Sequence, residues 1–200
     1  YKDSSRYYNS AAMIDRTGIT DIYSKVQLVP IAERVPLSGL FPSLSNMNIG
    51  AGSFSKGEEL KVLSYNDIPF GTMICFESTF PSLSREFVKR GANMLVYVVN
   101  DGWYETPPEP QQHANRVIYR AIETRRPVIR CANTGISMVI DQLGNIQHSI
   151  GLNKKGTILA DIYPSNKVTF YVKYGDVFIY FMMLSIILLM FKRIKYEESI

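Results

Sequence analysis

Cys75 stands in the stretch GTMICFESTFP, where an apolar run ends and a Pro–Ser helix start follows, with Glu77 two residues further on. A thiol among charged groups is the set on which nucleophilic catalysis draws. The thiolate attacks a carbonyl, and a nearby cation raises its fraction near neutral pH. Lys25, in YSKVQLVPIAERVP, and Glu33, in the same stretch, fit that chemistry by type. Each also has an ordinary reading: Cys75 as a packed strand thiol, Lys25 as a solvated strand residue, Glu33 as a loop carboxylate. Cys131, in VIRCANTG, reads as a packed strand thiol, His113 as a polar residue at a helix start and His148 as a surface residue. Neither histidine has a partner in sequence for a Cys–His dyad, and neither is expected to be catalytic. Two cysteines without a CxxC pair or zinc-type spacing suggest neither a disulfide framework nor a structural metal, and no cofactor is expected.

These residues need a scaffold, and the chain alternates between strand and helix patterns. NSAAMID and ITDIYSKVQLV read as strands about the turn RTG, and ELKVLSY and IPFGTMICFE as a pair about Asn66-Asp67. PSLSREFVKRG starts on Pro-Ser and stops at Gly, which predicts a helix. NMLVYVVN is a continuous apolar run, predicting a strand buried on both faces. In QQHANRVIYRAIETRR, Ala114, Val117, Ile118, Ala121 and Ile122 fall on one helical stripe. PVIRCAN, GISMVID and GTILADIY predict further strands, with QLGN a turn. The alternation predicts an α/β domain whose central sheet presents ligand sites at strand ends. Residues Pro36 to Gly57 form a long Gly/Ser/Asn/Pro-rich stretch of the kind used for lids and binding loops, and its Leu37, Leu40, Phe41, Leu44, Met47 and Phe54 suit a bilayer surface or an acyl chain. The net charge of +4 is mild and there is no basic stripe with interleaved aromatics, which argues against a nucleic-acid partner.

The C-terminus differs in kind. Val177 to Phe191 is uncharged and apolar, and Lys192, Arg193 and Lys195 follow. A membrane-spanning helix needs ~20 apolar residues. Extension through Tyr171, Val172 and Tyr174 supplies that length, with Lys173 and Asp176 at an interface. The basic cluster then predicts a cytoplasmic tail, leaving residues 1–166 on the extracytoplasmic face. The division expected is a catalytic domain over 1–166 and a transmembrane helix with a short tail over 167–200. The first residues carry no apolar signal-peptide core and no initiator Met, so the chain reads as a fragment that starts inside a domain.

YSKVQLVPIAERVP, then ICFES, then NDGWY, together with ANTGISMVIDQLGNI, resemble the carbon–nitrogen hydrolase (nitrilase) superfamily. The long NDGWYETPPEPQQHANRVIYRAIETRRPVIRCANTGIS and the C-terminal apolar helix are similar to its apolipoprotein N-acyltransferase branch. The resemblance covers nearly the whole chain from Asn9 onward. It implies a four-layer αββα sandwich, here partial, followed by a transmembrane helix, and a Glu-Lys-Cys triad. Cys75 matches the nucleophile, Lys25 the lysine, Glu33 the additional carboxylate of the first motif, and Glu77 a further functional glutamate. Trp103 matches a tryptophan on the substrate side, and the backbone N–H of Phe76 an oxyanion donor. The triad glutamate lies before the lysine in that family, and no glutamate precedes Lys25 here. The base is therefore expected outside this chain. The implied reaction moves an acyl chain from a phospholipid through a cysteine thioester to the α-amino group of a lipoprotein's diacylglyceryl-cysteine, at a bacterial inner membrane. Two alternatives remain open: a membrane-tethered amidase that uses water as acceptor, and a non-catalytic remnant without the base.

Overall fold

Two β-α-β units lie at the centre of the chain. The computed structural model describes residues 2, 3, 6–37, 40, 41, 43, 53–103 and 108–197, with side chains between Arg6 and Phe191. Strands β1 (Lys2–Asp3) and β2 (Arg6–Tyr7) form a short antiparallel ribbon, and β3 (Ser10–Asp15) and β4 (Gly18–Ser24) a hairpin. Six further strands make one sheet: β5 (Val62–Tyr65), β6 (Ile68–Ile74), β7 (Met94–Val99), β8 (Val128–Ala132), β9 (Ser137–Ile140) and β10 (Ile146–Ile150), in the order β10-β9-β8-β7-β6-β5. Strands β6, β7 and β8 run parallel, and the outer pairs are antiparallel. Parallel neighbours need a crossover, supplied here by α1 (Pro81–Lys89) between β6 and β7 and α2 (Glu109–Thr124) between β7 and β8.

Local chemistry fixes these boundaries. Asn66 and Asp67, at φ 48° and 61°, make the two-residue left-handed turn that matches the twist of β5 and β6. Pro81 opens α1, where a missing N–H costs nothing, and Gly91 follows its end at φ 99°. The left-handed Arg125 stops α2, two residues before Pro127. Between helices and sheet, Met73, Leu95, Tyr97 and Val99 from the strands meet Phe87, Val88, Ala114, Val117 and Ala121 from the helices. This core locks the carboxyl ends of β6 and β7 side by side.

Four expectations change. The second predicted strand ends at Ser24, so Lys25 stands on a loop. In β7 only alternate residues are buried, and Val98 is 44% exposed, because the face carrying Met94, Val96 and Val98 is incompletely covered by the described residues. Ile122, on the predicted stripe of α2, is exposed. GTILADIY forms no strand; Leu159 is 95% exposed and the edge beside β9 is taken by β10, which pairs with it through the Asp141–Asn145 turn. An extended segment becomes a strand only where a free edge accepts its backbone groups.

From Ser165 the chain is strapped back onto α1 and α2. Ser165 N–H donates to Asn93 O at 3.0 Å, and Arg126 Nη1 donates to Lys167 O at 2.6 Å. Thr169 Oγ1 donates to Glu123 O at 2.6 Å, and Arg85 Nε to Val172 O at 2.9 Å. Thr169 also caps α3 (Phe170–Tyr174), whose Val172 joins the core. The last helix, α4 (Val177–Glu197), is exposed from Val177 to Phe191 apart from the half-buried Ser185. Among the described residues no helix is long and apolar enough to cross a membrane, since the side chains described in α4 end at Phe191.

Candidate functional site

Lys25 follows β4 on a loop held by its own backbone: its N–H donates to Asn9 O and its carbonyl accepts from Gly57 N–H, both at 2.8 Å. A Cβ at position 57 would stand 2.1 Å from the carbonyl oxygen of Ser24, so only glycine lets the returning segment come this close. The Lys25 side chain is 1% exposed, with Nζ 2.9 and 2.8 Å from the two oxygens of Glu33. Glu33 also accepts from Asn9 Nδ2 at 2.8 Å and from Val29 N–H at 2.7 Å. A buried ion pair is tolerable when its remaining lone pairs are satisfied in this way.

The second arm is the end of β6. The strand stops at Ile74 and the chain tightens into a 3₁₀ turn over Cys75–Thr79. Cys75 sits at φ 50°, a left-handed conformation that L-residues seldom adopt. Its partly buried thiol donates to Asn100 O at 3.6 Å. Burial pushes the Cys75 thiol above its ordinary value; the Lys25 ammonium acts against that rise and Asp101 adds to it, while Phe76 N–H faces the sulfur and favours the thiolate.

Glu77 joins the two arms and does not face solvent. It is fully buried, and its Oε1 accepts from Tyr23 Oη (2.9 Å), Val26 N–H (2.8 Å) and Gln27 N–H (3.0 Å), while Oε2 accepts from Ile74 N–H at 2.8 Å. Burial raises its carboxyl above the ordinary value, and these four donors offset only part of that rise. The carboxylate thus ties the loop carrying Lys25 to the turn carrying Cys75.

A third arm went unread in the sequence. His113, expected as a polar residue at the start of a helix, is buried on α2 at 4% exposure. Its Nδ1 lies 2.7 Å from Asp101 Oδ1, and its Nε2 lies 2.9 Å from Ser78 Oγ and 3.2 Å from the carbonyl oxygen of Cys75. Arg130 Nη2 donates to Asp101 Oδ2 at 2.7 Å. Burial alone would raise the Asp101 carboxyl, but His113 and Arg130 bring it below the usual range. A Cβ at Gly135 would meet Asp101 Oδ2 at 2.0 Å, so glycine leaves the carboxylate its place. The signal was available: His113, Val117, Arg120, Ala121 and Thr124 are all buried at helical spacing, so His113 belongs to the core face. Cys131, expected as packed, is exposed on β8, and Trp103 is 62% exposed two residues beyond Asp101. In the Pro36–Gly57 stretch, Leu37, Leu40 and Phe41 are exposed, whereas Leu44 and Met47 lie outside the described residues.

One atom each of Cys75, Asp101 and His113 lies within 4.8 Å of the others, a donor set of the type that binds zinc. Arg130 already occupies Asp101 and the Lys25 charge reaches Cys75, so a cation there would face two fixed positive groups. The site gathers a thiol, a buried ammonium and paired carboxylates at the carboxyl ends of adjacent parallel strands, where α/β sheets bind ligands.

A nitrilase-like α/β sandwich with these groups at its sheet edge defines the class of protein. The chain belongs to the carbon-nitrogen hydrolase family, whose model matches residues 1–167. Among curated relatives it is similar to an apolipoprotein N-acyltransferase of Geobacter metallireducens, 36% identical over 180 residues that cover 88% of this chain and 34% of that protein. It is likewise similar to an apolipoprotein N-acyltransferase of Thermotoga maritima, 33% identical over 193 residues, 96% of this chain and 38% of that protein. The chain therefore spans about a third of the length of these relatives. Among solved structures, a nitrilase-superfamily protein of Saccharomyces cerevisiae matches with TM-score 0.55 at 20% identity, over 74% of this chain and 51% of that one. An amidase of Nesterenkonia sp. AN1, with acrylamide added at its active-site cysteine, matches with TM-score 0.54 at 21% identity, over 72% and 53%. Both structural likenesses establish the fold.

Proposed function

We propose that this chain is part of an apolipoprotein N-acyltransferase and that Cys75 carries the acyl group. The observation that supports this most is Lys25: a buried ammonium, held by Glu33, whose charge acts on the Cys75 thiol. In the proposed first step the Cys75 thiolate attacks the ester carbonyl of a phospholipid; the ester C–O bond breaks, leaving a thioester and a lysophospholipid. In the second step the free α-amino group of a diacylglyceryl-cysteine attacks the thioester, giving an amide and returning the thiol. Lys25 Nζ and the Phe76 N–H stabilise the oxyanion of each tetrahedral intermediate. Glu33 keeps Lys25 in place and charged, and Glu77 fixes the distance between the two arms. Both described glutamates near the site are spent on these partners. The carboxylate that takes the thiol proton and later the amine proton is therefore assigned to a glutamate outside these 200 residues, consistent with relatives about three times longer.

The proposed division is a catalytic domain over 1–166 and a membrane anchor over 167–200. The exposed apolar length of α4, followed by Lys192, Arg193 and Lys195, supports a helix that crosses a bacterial inner membrane with its tail in the cytoplasm and Cys75 on the opposite face. Trp103 and the exposed Leu37, Leu40 and Phe41 then face the lipid substrates. The amidase fold neighbours keep water in view as the rival acceptor. Incubating the full-length protein with labelled phospholipid tests the reading. Hydroxylamine-sensitive label is expected on the parent and not on Cys75→Ser. Folded parent without label sinks the acyl-enzyme, and label released only as fatty acid in the presence of an acceptor lipopeptide would favour the hydrolase.

A further inference from the structure

A left-handed backbone at a non-glycine residue persists only where its surroundings over-determine it. At Cys75 three contacts do so. Glu77 Oε2 holds Ile74 N–H before it, Thr79 Oγ1 donates to Phe76 O at 2.8 Å after it, and His113 Nε2 lies against its own carbonyl. The last comes from α2, whose Arg120 Nη1 also donates to Ser78 O at 3.4 Å, and it comes from a residue that is itself pinned.

The pinning is built from groups with few options. The Asp101 carboxylate only accepts, so Nδ1 of His113 carries a proton toward it. Arg130 fixes the other oxygen of Asp101 and reaches the carbonyl of Ile136. Asp101, His113 and Arg130 are 1, 4 and 1% exposed. Nε2 then faces two groups of the same turn: as a donor it bonds the carbonyl of Cys75, and as an acceptor it takes the hydroxyl proton of Ser78. Either arrangement fastens α2 to the turn that carries the thiol. The sulfur donates to the Asn100 carbonyl at 3.6 Å.

We infer that His113 is a positioning residue for Cys75: with Asp101 and Arg130 behind it, it holds the 75–79 turn strained and so aims the thiol at the acyl carbonyl. The inference rests on the reading of Cys75 as nucleophile. In this role the imidazole neither gives nor takes the reaction's proton. Its removal lowers the rate of thioester formation without changing the affinity for phospholipid.

The test uses the full-length protein and single-turnover formation of the labelled thioester, with phospholipid concentration varied and the thermal midpoint of each variant recorded. His113→Ala is expected to slow the saturated rate roughly tenfold or more, the scale that relief of a left-handed strain allows, with half-saturation unchanged. His113→Gln keeps an N–H donor near the place of Nε2 and is expected to recover most of that rate. A folded His113→Ala that acylates at the parental rate overturns the inference. If the alanine variant does not fold, the glutamine variant decides. A rate close to the parent's supports positioning. A rate roughly a hundredfold lower at an unchanged thermal midpoint means that the imidazole itself takes part in the chemistry, and overturns it. Parent protein that forms no thioester overturns the nucleophile reading instead, a result that the variants cannot mimic.

Discussion

The site end of the sheet and helix α4 solve opposite problems. Around Cys75 five charged side chains, Lys25, Glu77, Asp101, Arg130 and the nearly buried Glu33, are withdrawn from water, and each has charged or hydrogen-bonded partners within the protein. Along α4 apolar side chains from Phe178 to Phe191 stand exposed, and Ser185 turns its hydroxyl back onto the Phe181 carbonyl at 2.9 Å. Buried charge is costly unless paired, and exposed hydrocarbon is costly in water. In the first region the buried charges are paired by contacts inside the chain. The second is left with its apolar side chains uncovered by the described residues. On the proposed reading, chemistry and attachment are separate parts of the molecule, and they break differently.

The contrast breaks most sharply in α4. Leu184→Lys together with Leu188→Lys is expected to abolish partition of the 200-residue chain into phospholipid vesicles, since each charge near a helix centre costs roughly 3 kcal/mol in a bilayer. Flotation measures this; vesicle binding that survives both lysines would remove α4 from the attachment. In the site, Lys25→Met strands the Glu33 carboxylate and is expected to lower stability by roughly 3 kcal/mol in urea unfolding. The same variant is expected to move the pH midpoint of Cys75 alkylation upward, because the cation that opposed the effect of burial is gone. A midpoint that stays put or falls would mean that the lysine does not act on the thiol. The smallest effect is expected from Glu77→Gln, which keeps the shape but turns an amide N–H₂ toward backbone donors. A loss of roughly 2 kcal/mol follows, with vesicle binding untouched. Equal urea midpoints would mean that the carboxylate does not tie the arms together.

Much of the fold was legible because local signals agreed with the packing. The Asn66-Asp67 hairpin, the Pro81 helix start, the α2 stripe and the apolar run of β7 each carry their own punctuation. What stayed hidden depended on pairing at a distance. GTILADIY has a strand's alternation, but β10 holds the edge beside β9. At the site, Cys75, Lys25 and Glu33 were singled out by residue type and by the resemblance of the motifs that hold them. Asp101 and His113 lie in NDGWY and QQHANRV, yet nothing in their spacing says that α2 returns an imidazole to the carbonyl of Cys75. Glu77 was legible by its place two residues after Cys75, but that proximity does not say that its oxygens point to Tyr23, Val26 and Gln27.

The strap between Ser165 and Val172 has a mechanical meaning. Arg126, Thr169 and Arg85 hold residues 167–172, shortly before α4, against α1 and the end of α2, so on the proposed reading the domain meets its anchor through a bracket and not a tether. A tethered thiol would sample a range of heights above the anchor; a bracketed one would keep to a narrower range. On that reading the reach demanded of an incoming acyl chain would be a property of the protein's geometry, set by four hydrogen bonds far from the sulfur.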